Sequence, residues 1–263
     1  MSQSRESSTT YNNSHLNANT MVINARGDAT IERATLHGTE EVNLEVAGDL
    51  VMASLQDREK SKTLGLNADM GVGNDHSVSN GSLNADSTKK NYRAVNEQTA
   101  ITGGTINVNV QGNSHLVGAK IDAQNEEGSS FSTGTLTTED ISNRADYLSM
   151  SGGVGYSATE DKENNVAQGV TPNVGMPTQA DKSSTTKTAI SQNIQINITD
   201  KENQTQDINT ISRDTESAHY QMTEINTEIL DIRKNLASEV SQAGFEVVGD
   251  IAMAQAEGNS DEA

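Results

Sequence analysis

Cysteine is absent from all 263 residues, which excludes disulfides, thiolate nucleophiles and cysteine-ligated zinc. Tryptophan is absent too, and two Phe and five Tyr make up the whole aromatic complement. Basic residues are scarce: 18 Lys and Arg stand against 37 Asp and Glu, a formal net charge of −19. This balance argues against nucleic-acid binding, where Lys and Arg supply most of the affinity, and against anionic membrane surfaces. No stretch approaches the ~18 consecutive apolar residues of a membrane-spanning helix. Residues 1–11 lack the basic and apolar regions of a signal peptide.

What apolar content there is, 32% of residues, is mainly Val, Ile, Leu, Met and Ala. Without bulky rings a chain of this length cannot build one thick core. A thin aliphatic core repeated many times remains open to it, since each buried Val, Ile or Leu contributes roughly 1.5–3 kcal/mol. Solenoids are built that way.

The order of residues points in the same direction. Alternation at Thr30-Ile31-Glu32 and at Glu41-Val42-Asn43-Leu44-Glu45-Val46 has the strand period. Two Gly-Asp pairs, Gly27-Asp28 and Gly48-Asp49, lie 21 residues apart, each followed by a similar apolar string. The unit recurs as Ile106-Asn107-Val108-Asn109-Val110-Gln111-Gly112-Asn113 leading into Leu116. Strand, Gly-Asp or Gly-Asn corner, strand, at a period near 20 residues, predicts parallel β-helix rungs; an antiparallel sandwich is the competing reading. The corner Gly is expected to supply φ > 0 and the following Asp or Asn a turn hydrogen bond. Segments 16–57 and 105–123 are expected to stack in parallel, with Ile31, Leu44, Val46, Leu50, Val108, Val110, Leu116 and Ile121 inside.

Two stretches leave this pattern. Leu64, Leu66, Ala68, Met70 and Val72 alternate with Gly65, Asn67, Asp69 and Gly71, and the Gly-rich 151–158 has the same character. Both read as amphipathic excursions out of the rungs. From Asp214, an expected N-cap, the period becomes helical: Met222, Ile225, Ile229, Ile232, Leu236 and Val240 share one face, expected to pack on the 245–256 segment beyond Gly244. The organisation expected is therefore a disordered start (1–11), a repeat β-helix with insertions (12–158), a linker holding both prolines (159–188), last strands (189–204), a helical segment (205–257) and a frayed end (258–263). The fold class is mainly β: a parallel, right-handed β-helix with extruded strands, followed by an α-helical tail.

Chemistry-bearing constellations are few. His15, His37, His76, His115 and His219 are mutually distant in sequence, and no H-E-x-x-H occurs. Asp28, Asp49 and Asn113 fall at corners where stacked oxygens could hold calcium, but the nonapeptide of calcium-binding β-rolls is missing, so turn chemistry is the simpler reading. Gly152-Gly153-Val154-Gly155 lacks the Lys-Ser/Thr ending of a phosphate loop. No catalytic, cofactor or metal residue is assigned, and no enzyme activity is expected.

Several stretches in order resemble one family: Ala47-Gly48-Asp49-Leu50 with Ser54-Leu55-Gln56-Asp57, then Tyr92-Arg93-Ala94-Val95-Asn96-Glu97-Gln98-Thr99-Ala100-Ile101. Gly112-Asn113 leading to Gly118-Ala119-Lys120-Ile121, Thr133-Gly134-Thr135-Leu136, Asp140-Ile141-Ser142-Asn143 and Gln206-Asp207 with Ile211-Ser212-Arg213-Asp214 follow. The chain is similar, over about 12–257, to the haemagglutinin-repeat region of filamentous-haemagglutinin-like exoproteins, the nearest being effectors of contact-dependent growth inhibition. The resemblance implies a right-handed β-helix filament and export through an outer-membrane partner engaged by an N-terminal secretion domain. It also implies delivery of a C-terminal toxin across a target cell's outer membrane. Neither a secretion domain nor a toxin domain is found in these residues, and Glu163-Asn164-Asn165-Val166 is not the family's Val-Glu-Asn-Asn boundary motif. The sequence thus reads as a piece of a secreted, cell-surface stalk or delivery segment. Two alternatives come from other classes: a polysaccharide-active β-helix enzyme, which needs clustered carboxylates on one face, and a membrane-associating module in which the excursions at 64–72 and 151–158 pair as lipid-facing strands.

Overall fold

The computed structural model describes residues 1–74, 76–125, 127–158, 169–175, 177–230 and 232. They form mainly β-structure in two sheets. The first gathers β2 (Ser14–Ala25), β3 (Ala29–Glu32), β4 (Ala34–Val46), β5 (Leu50–Ala53), β8 (Ala100–Val117), β9 (Lys120–Ala123), β10 (Ser129–Glu139), β14 (Ala189–Ile190) and β15 (Ile194–Ile198). The second gathers β1 (Ser2–Thr9), β6 (Gln56–Val72), β7 (Val78–Val95), β11 (Ile141–Ser157), β12 (Gly169–Val174) and β13 (Thr178–Thr186).

Every ladder in the first sheet is parallel. Like residues therefore stack on like. Leu36, Ile101, Ile121 and Ile190 lie in one column; Leu44, Val108, Phe131 and Ile196 form another. Leu44, Val46, Leu50, Val108, Val110, Leu116 and Ile121 are buried as expected, and Ile31 packs against the same core partly buried. The antiparallel alternative fails for these segments because the repeat places each strand directly over its equivalent, not beside its sequence neighbour.

The corners are built differently from the sequence-based expectation. Gly27, Gly48 and Gly112 do not take positive φ. A Cβ at Gly48 would collide with the Asp28 carboxylate, and one at Gly112 with that of Asp49. Those carboxylates reach between units: Asp28 Oδ1 accepts from the Asp49 N–H at 2.9 Å, and Asp49 Oδ1 from the Asn113 N–H at 2.7 Å. At Gly48 and Gly112 glycine is required for close approach of the neighbouring unit, and Asp28 and Asp49 make inter-unit bonds instead of turn bonds.

The second sheet is antiparallel and grows from one corner of the stack. Ala53, Val117 and Glu139 are stacked in register. After Val117 the chain turns directly into the next unit through Gly118 at φ 54°, and after Glu32 through Arg33 at φ 52°. After Ala53 and Glu139 it leaves instead, as β6–β7 and as β11–β13. Because both departures share a corner, β7 and β11 meet along fourteen paired residues, from Arg93–Arg144 to Asn80–Ser157. β1 adds to the outer edge of β6.

Three sequence-based expectations are corrected here. Residues 1–11 are not a disordered start: Ser2–Thr9 is β1, held by the free edge of β6. The described part of the 159–188 linker holds β12 and β13. Pro172 is tolerated because β12 is an edge strand, where a missing N–H breaks no ladder. No helix starts at Asp214. Its Oδ1 does accept from the N–H groups of Glu216 and Ser217. The carbonyls that follow are used elsewhere, however, Ala218 O by the Lys187 N–H and Met222 O by the Tyr92 hydroxyl. Helical residues begin at 227, where Asn226 Oδ1 accepts from the Glu228 and Ile229 N–H groups. The expected face beyond Ile232 and its packing on 245–256 lie outside the described residues.

Candidate interaction surface

The projecting antiparallel sheet carries the most distinctive surface of the molecule. Register decides its faces. Leu64, Leu66, Ala68, Met70 and Val72 of β6 stand opposite Ser87, Ala85, Leu83, Gly81 and Val78 of β7. Leu83 and Gly81 in turn stand opposite Val154 and Tyr156 of β11, which stand opposite Pro172 and Val170 of β12. All therefore lie on one face. The excursions 64–72 and 151–158 share a sheet as the alternation suggested, but β7 lies between them, so they do not pair directly.

This face is open. Met70 is 71% exposed, Val72 56% and Val170 73%. Isolated exposed apolar residues need no explanation, whereas a contiguous patch marks an interaction site. Nearer the stack, the same face is basic. Lys60 and Lys62 continue the β6 series toward Arg58, Arg5 of β1 pairs with Lys62, and Lys89 of β7 shares the face. Arg5, Lys60, Lys62 and Lys89 line one shallow depression. The opposite face takes the acids: Glu6, Asp57, Glu59, Asp69 and Asp86.

Near its root that opposite face is covered. Ala94, Ala145 and Met222 form a small core with Tyr92 and Ile225 against it. Tyr92 Oη donates to the Met222 carbonyl at 3.1 Å. Burial, then the charges of Asp57, Glu224 and Glu59, raise the Tyr92 phenol above its ordinary value. Lys182 Nζ donates to the carbonyls of Thr223 and Glu224. The described part of the segment after Ile211 is thus bound to the acidic side, and among the described residues none of it covers the apolar and basic side.

The histidines are dispersed. His15 approaches Glu97 at 3.3 Å and His115 approaches Glu139 at 3.9 Å, both near the surface. His37 bonds Thr102 and His219 bonds Thr186. His76 sits at φ 64° in the β6–β7 turn. Among the described residues no three His, Asp or Glu side chains gather as a metal site, and Asp28 and Asp49 are engaged by the backbone N–H groups of the neighbouring units. Sequence reasoning missed the basic half of the sheet face. Arg58, Lys60 and Lys62 alternate visibly, but their companions Arg5 and Lys89 come from strands that only register brings alongside.

Comparison with known proteins gives this surface its setting. Residues 1–68 match the family model described as Hemagglutinin repeat. The chain is 33% identical to Toxin CdiA of Escherichia coli over 227 residues, covering 80% of the chain and 7% of that protein. It is 29% identical to tRNA nuclease CdiA of Yersinia mollaretii over 264 residues, covering 95% of the chain and 8% of that protein. With tRNA nuclease CdiA-2 of Burkholderia pseudomallei it shares 41% identity over 135 residues, 47% of the chain and 4% of that protein. The chain thus spans less than a tenth of the length of each of these relatives. No solved structure matches it. The repeat, its stacked register and these relatives identify the chain as a filamentous haemagglutinin-like protein of the contact-dependent inhibition family.

Proposed function

We propose that this chain is a non-catalytic stalk or delivery segment of a larger surface protein, built as a parallel β-helix with the antiparallel sheet projecting from it. The carrying observation is the combination of parallel stacking with two excursions that leave from one corner and merge into a single sheet. A solenoid supplies length and rigidity, and the projecting sheet supplies contact area. The parent is exported through an outer-membrane partner and meets the surface of a target cell; the nuclease named in two of the relatives belongs to a part of the protein other than these residues.

The test is a chimera. This segment replaces the matching region of a contact-dependent inhibition protein, and surface display and inhibition of target cells are both measured. Display with inhibition retained is expected. If deleting the segment left display and inhibition unchanged, the delivery role would be lost. The purified chain is expected to leave tRNA intact, and cleavage abolished by a point substitution within it would overturn the non-catalytic reading.

A further inference from the structure

We propose that the apolar face of the projecting sheet is a self-association surface: a second copy of this chain packs on it face to face, the two stacks pointing in opposite directions. The partner is assigned to the surface already read as the segment's contact area, and the assignment rests on that reading.

From the row of Leu66 to the row of Met70, register brings β6, β7, β11 and β12 together without one charged side chain on this face. Leu66, Met70, Leu83, Val154 and Val170 stand exposed on it. With strands ~4.8 Å apart and residues ~3.4 Å apart, the field from Leu64 to Val72 is about 19 Å wide and about 27 Å long. That is roughly 500 Å² in projection, toward the upper end of what a monomer exposes. Two such fields laid together reach the ~1,000 Å² of a specific interface before the relief of the side chains is counted. The relief is self-complementary. Gly152 leaves a hollow between Ala85 and Val174, where an added Cβ would meet only the Asn173 carbonyl, at 3.8 Å. Turning one copy about an axis across the strands, at the row of Leu83, sets its Tyr156 over that hollow in the other. A two-fold axis makes the same contact again with the roles exchanged.

Charge selects this arrangement over its alternative. Lys60, Lys62 and Lys89 continue the same face toward the stack, with Arg58 beyond them. Packing with both stacks on one side would lay these bands over each other, and like charges brought together repel. The opposed packing overlays the apolar fields alone and leaves each basic band at or beyond the tip of the other sheet. Each strand then crosses its own copy antiparallel, within the ~30° at which aligned sheets pack. Leu83 faces Leu83 on the axis, Leu66 faces Met70, and Val170 faces Val174.

The test is sedimentation velocity of the whole chain across a dilution series. A concentration-dependent dimer that high salt does not weaken is expected. Leu66→Asn/Leu83→Asn, at exposed positions where folding is not at stake, should weaken the dimer about a hundredfold, because four leucines leave the interface. Lys60→Gln/Lys62→Gln should leave it unchanged. The chain has no cysteine, so single introduced cysteines report the geometry. A short bismaleimide joins them, since packed sheets stand ~10 Å apart, farther than a disulfide spans. Ala68→Cys should couple to its own copy, whereas Lys89→Cys would couple only if both stacks lay on one side. Circular dichroism of each variant confirms that the sheets persist. A monomer at every concentration, a dimer indifferent to the leucine substitutions, or coupling through Lys89→Cys in place of Ala68→Cys would overturn the proposal. So would lipid vesicles taking up the face while the chain stays monomeric. Chimera inhibition lost while the dimer persists would instead count against the delivery role alone, leaving this face assigned.

Discussion

The side-chain amide of Gln204 makes two hydrogen bonds to the peptide edge of Leu136: Oε1 accepts from the Leu136 N–H at 2.8 Å, and Nε2 donates to the Leu136 carbonyl at 2.8 Å. Gln206 repeats the arrangement at Thr138. These are the bonds that another parallel strand would make. β15 covers β10 only from Ser129 to Thr133, and beyond it two glutamines stand in for the missing strand. Arg213 closes the same end by donating to the carbonyls of Ser191 and Ile194.

Gln204→Leu should therefore leave the Leu136 N–H unpaired at the stack's end, at a cost of about 1–3 kcal/mol. Denaturant unfolding should register this, and amide exchange at Leu136 should accelerate more than exchange at Val108. Unchanged exchange at Leu136 would show that the glutamine is a bystander.

Gly118 makes a second, sharper prediction. It holds φ 54°, and a Cβ there would meet Ile141 Cδ1 at 2.6 Å. Gly118→Ala combines left-handed strain with a contact that Ile141 must yield to, and should cost about 1–3 kcal/mol. The thermal midpoint reads it. Gly27→Ala is the comparison: nothing lies within 4 Å of its added Cβ and φ is not positive, so its effect should be small.

How far the sequence spoke depends on the range of the contact. The parallel stack was legible because Leu44 over Val108 is a repetition of the sequence itself. The corner chemistry was half legible: the Gly-Asp pairs were visible, but that Asp28 reaches the N–H of Asp49 in the next unit is a fact of stacking. The sheet face was the least legible. Alternation marked 64–72, yet Arg5 beside Lys62 depends on two departures from one corner aligning their hairpins. Asp214 misled because its capping bonds are real while the carbonyls after it are claimed by Lys187 and Tyr92.

Asn143 clamps the root of the projecting sheet. It is almost fully buried and uses both ends of its amide. Oδ1 accepts from the Val95 N–H at 3.0 Å and from Gln56 Nε2, and Nδ2 donates to Thr186 Oγ1 and Ser184 Oγ. One side chain thus joins β6, β7, β11 and β13. Asn143→Leu keeps the branching at Cγ and orphans the buried Val95 N–H, so a loss of about 2–3 kcal/mol is expected. The loss should fall on the antiparallel sheet first, with exchange rising at Val95 and Arg144 ahead of Leu44. A uniform response across both sheets would mean that Asn143 is no special joint.

The same network continues to a titratable group. Thr186 Oγ1, receiving from Asn143, lies 3.0 Å from His219 Nδ1, and His219 Nε2 faces the Asn96 carbonyl at 3.3 Å. A neutral ring with its proton on Nε2 satisfies both neighbours. Burial lowers the His219 pKa, Lys120 lowers it further, and the Asn96 carbonyl opposes. The folded state therefore binds this proton more weakly than the unfolded chain, whose histidine titrates near ~6.5. The unfolded state then carries more protons between the lowered folded value and ~6.5, so stability rises with pH there. The contribution is complete above ~6.5 and lost as pH falls below it. Asp214, held below the usual carboxylate range first by hydrogen bonds from Ser217, loses its contribution only at lower pH. Exchange of the Lys187 N–H, which donates to the Ala218 carbonyl beside His219, should accelerate relative to the Leu44 N–H as pH drops from 7 to 5, after correction for intrinsic rates. His219→Gln should remove that difference. A Lys187 response that persists in the variant would assign the pH sensitivity to another group.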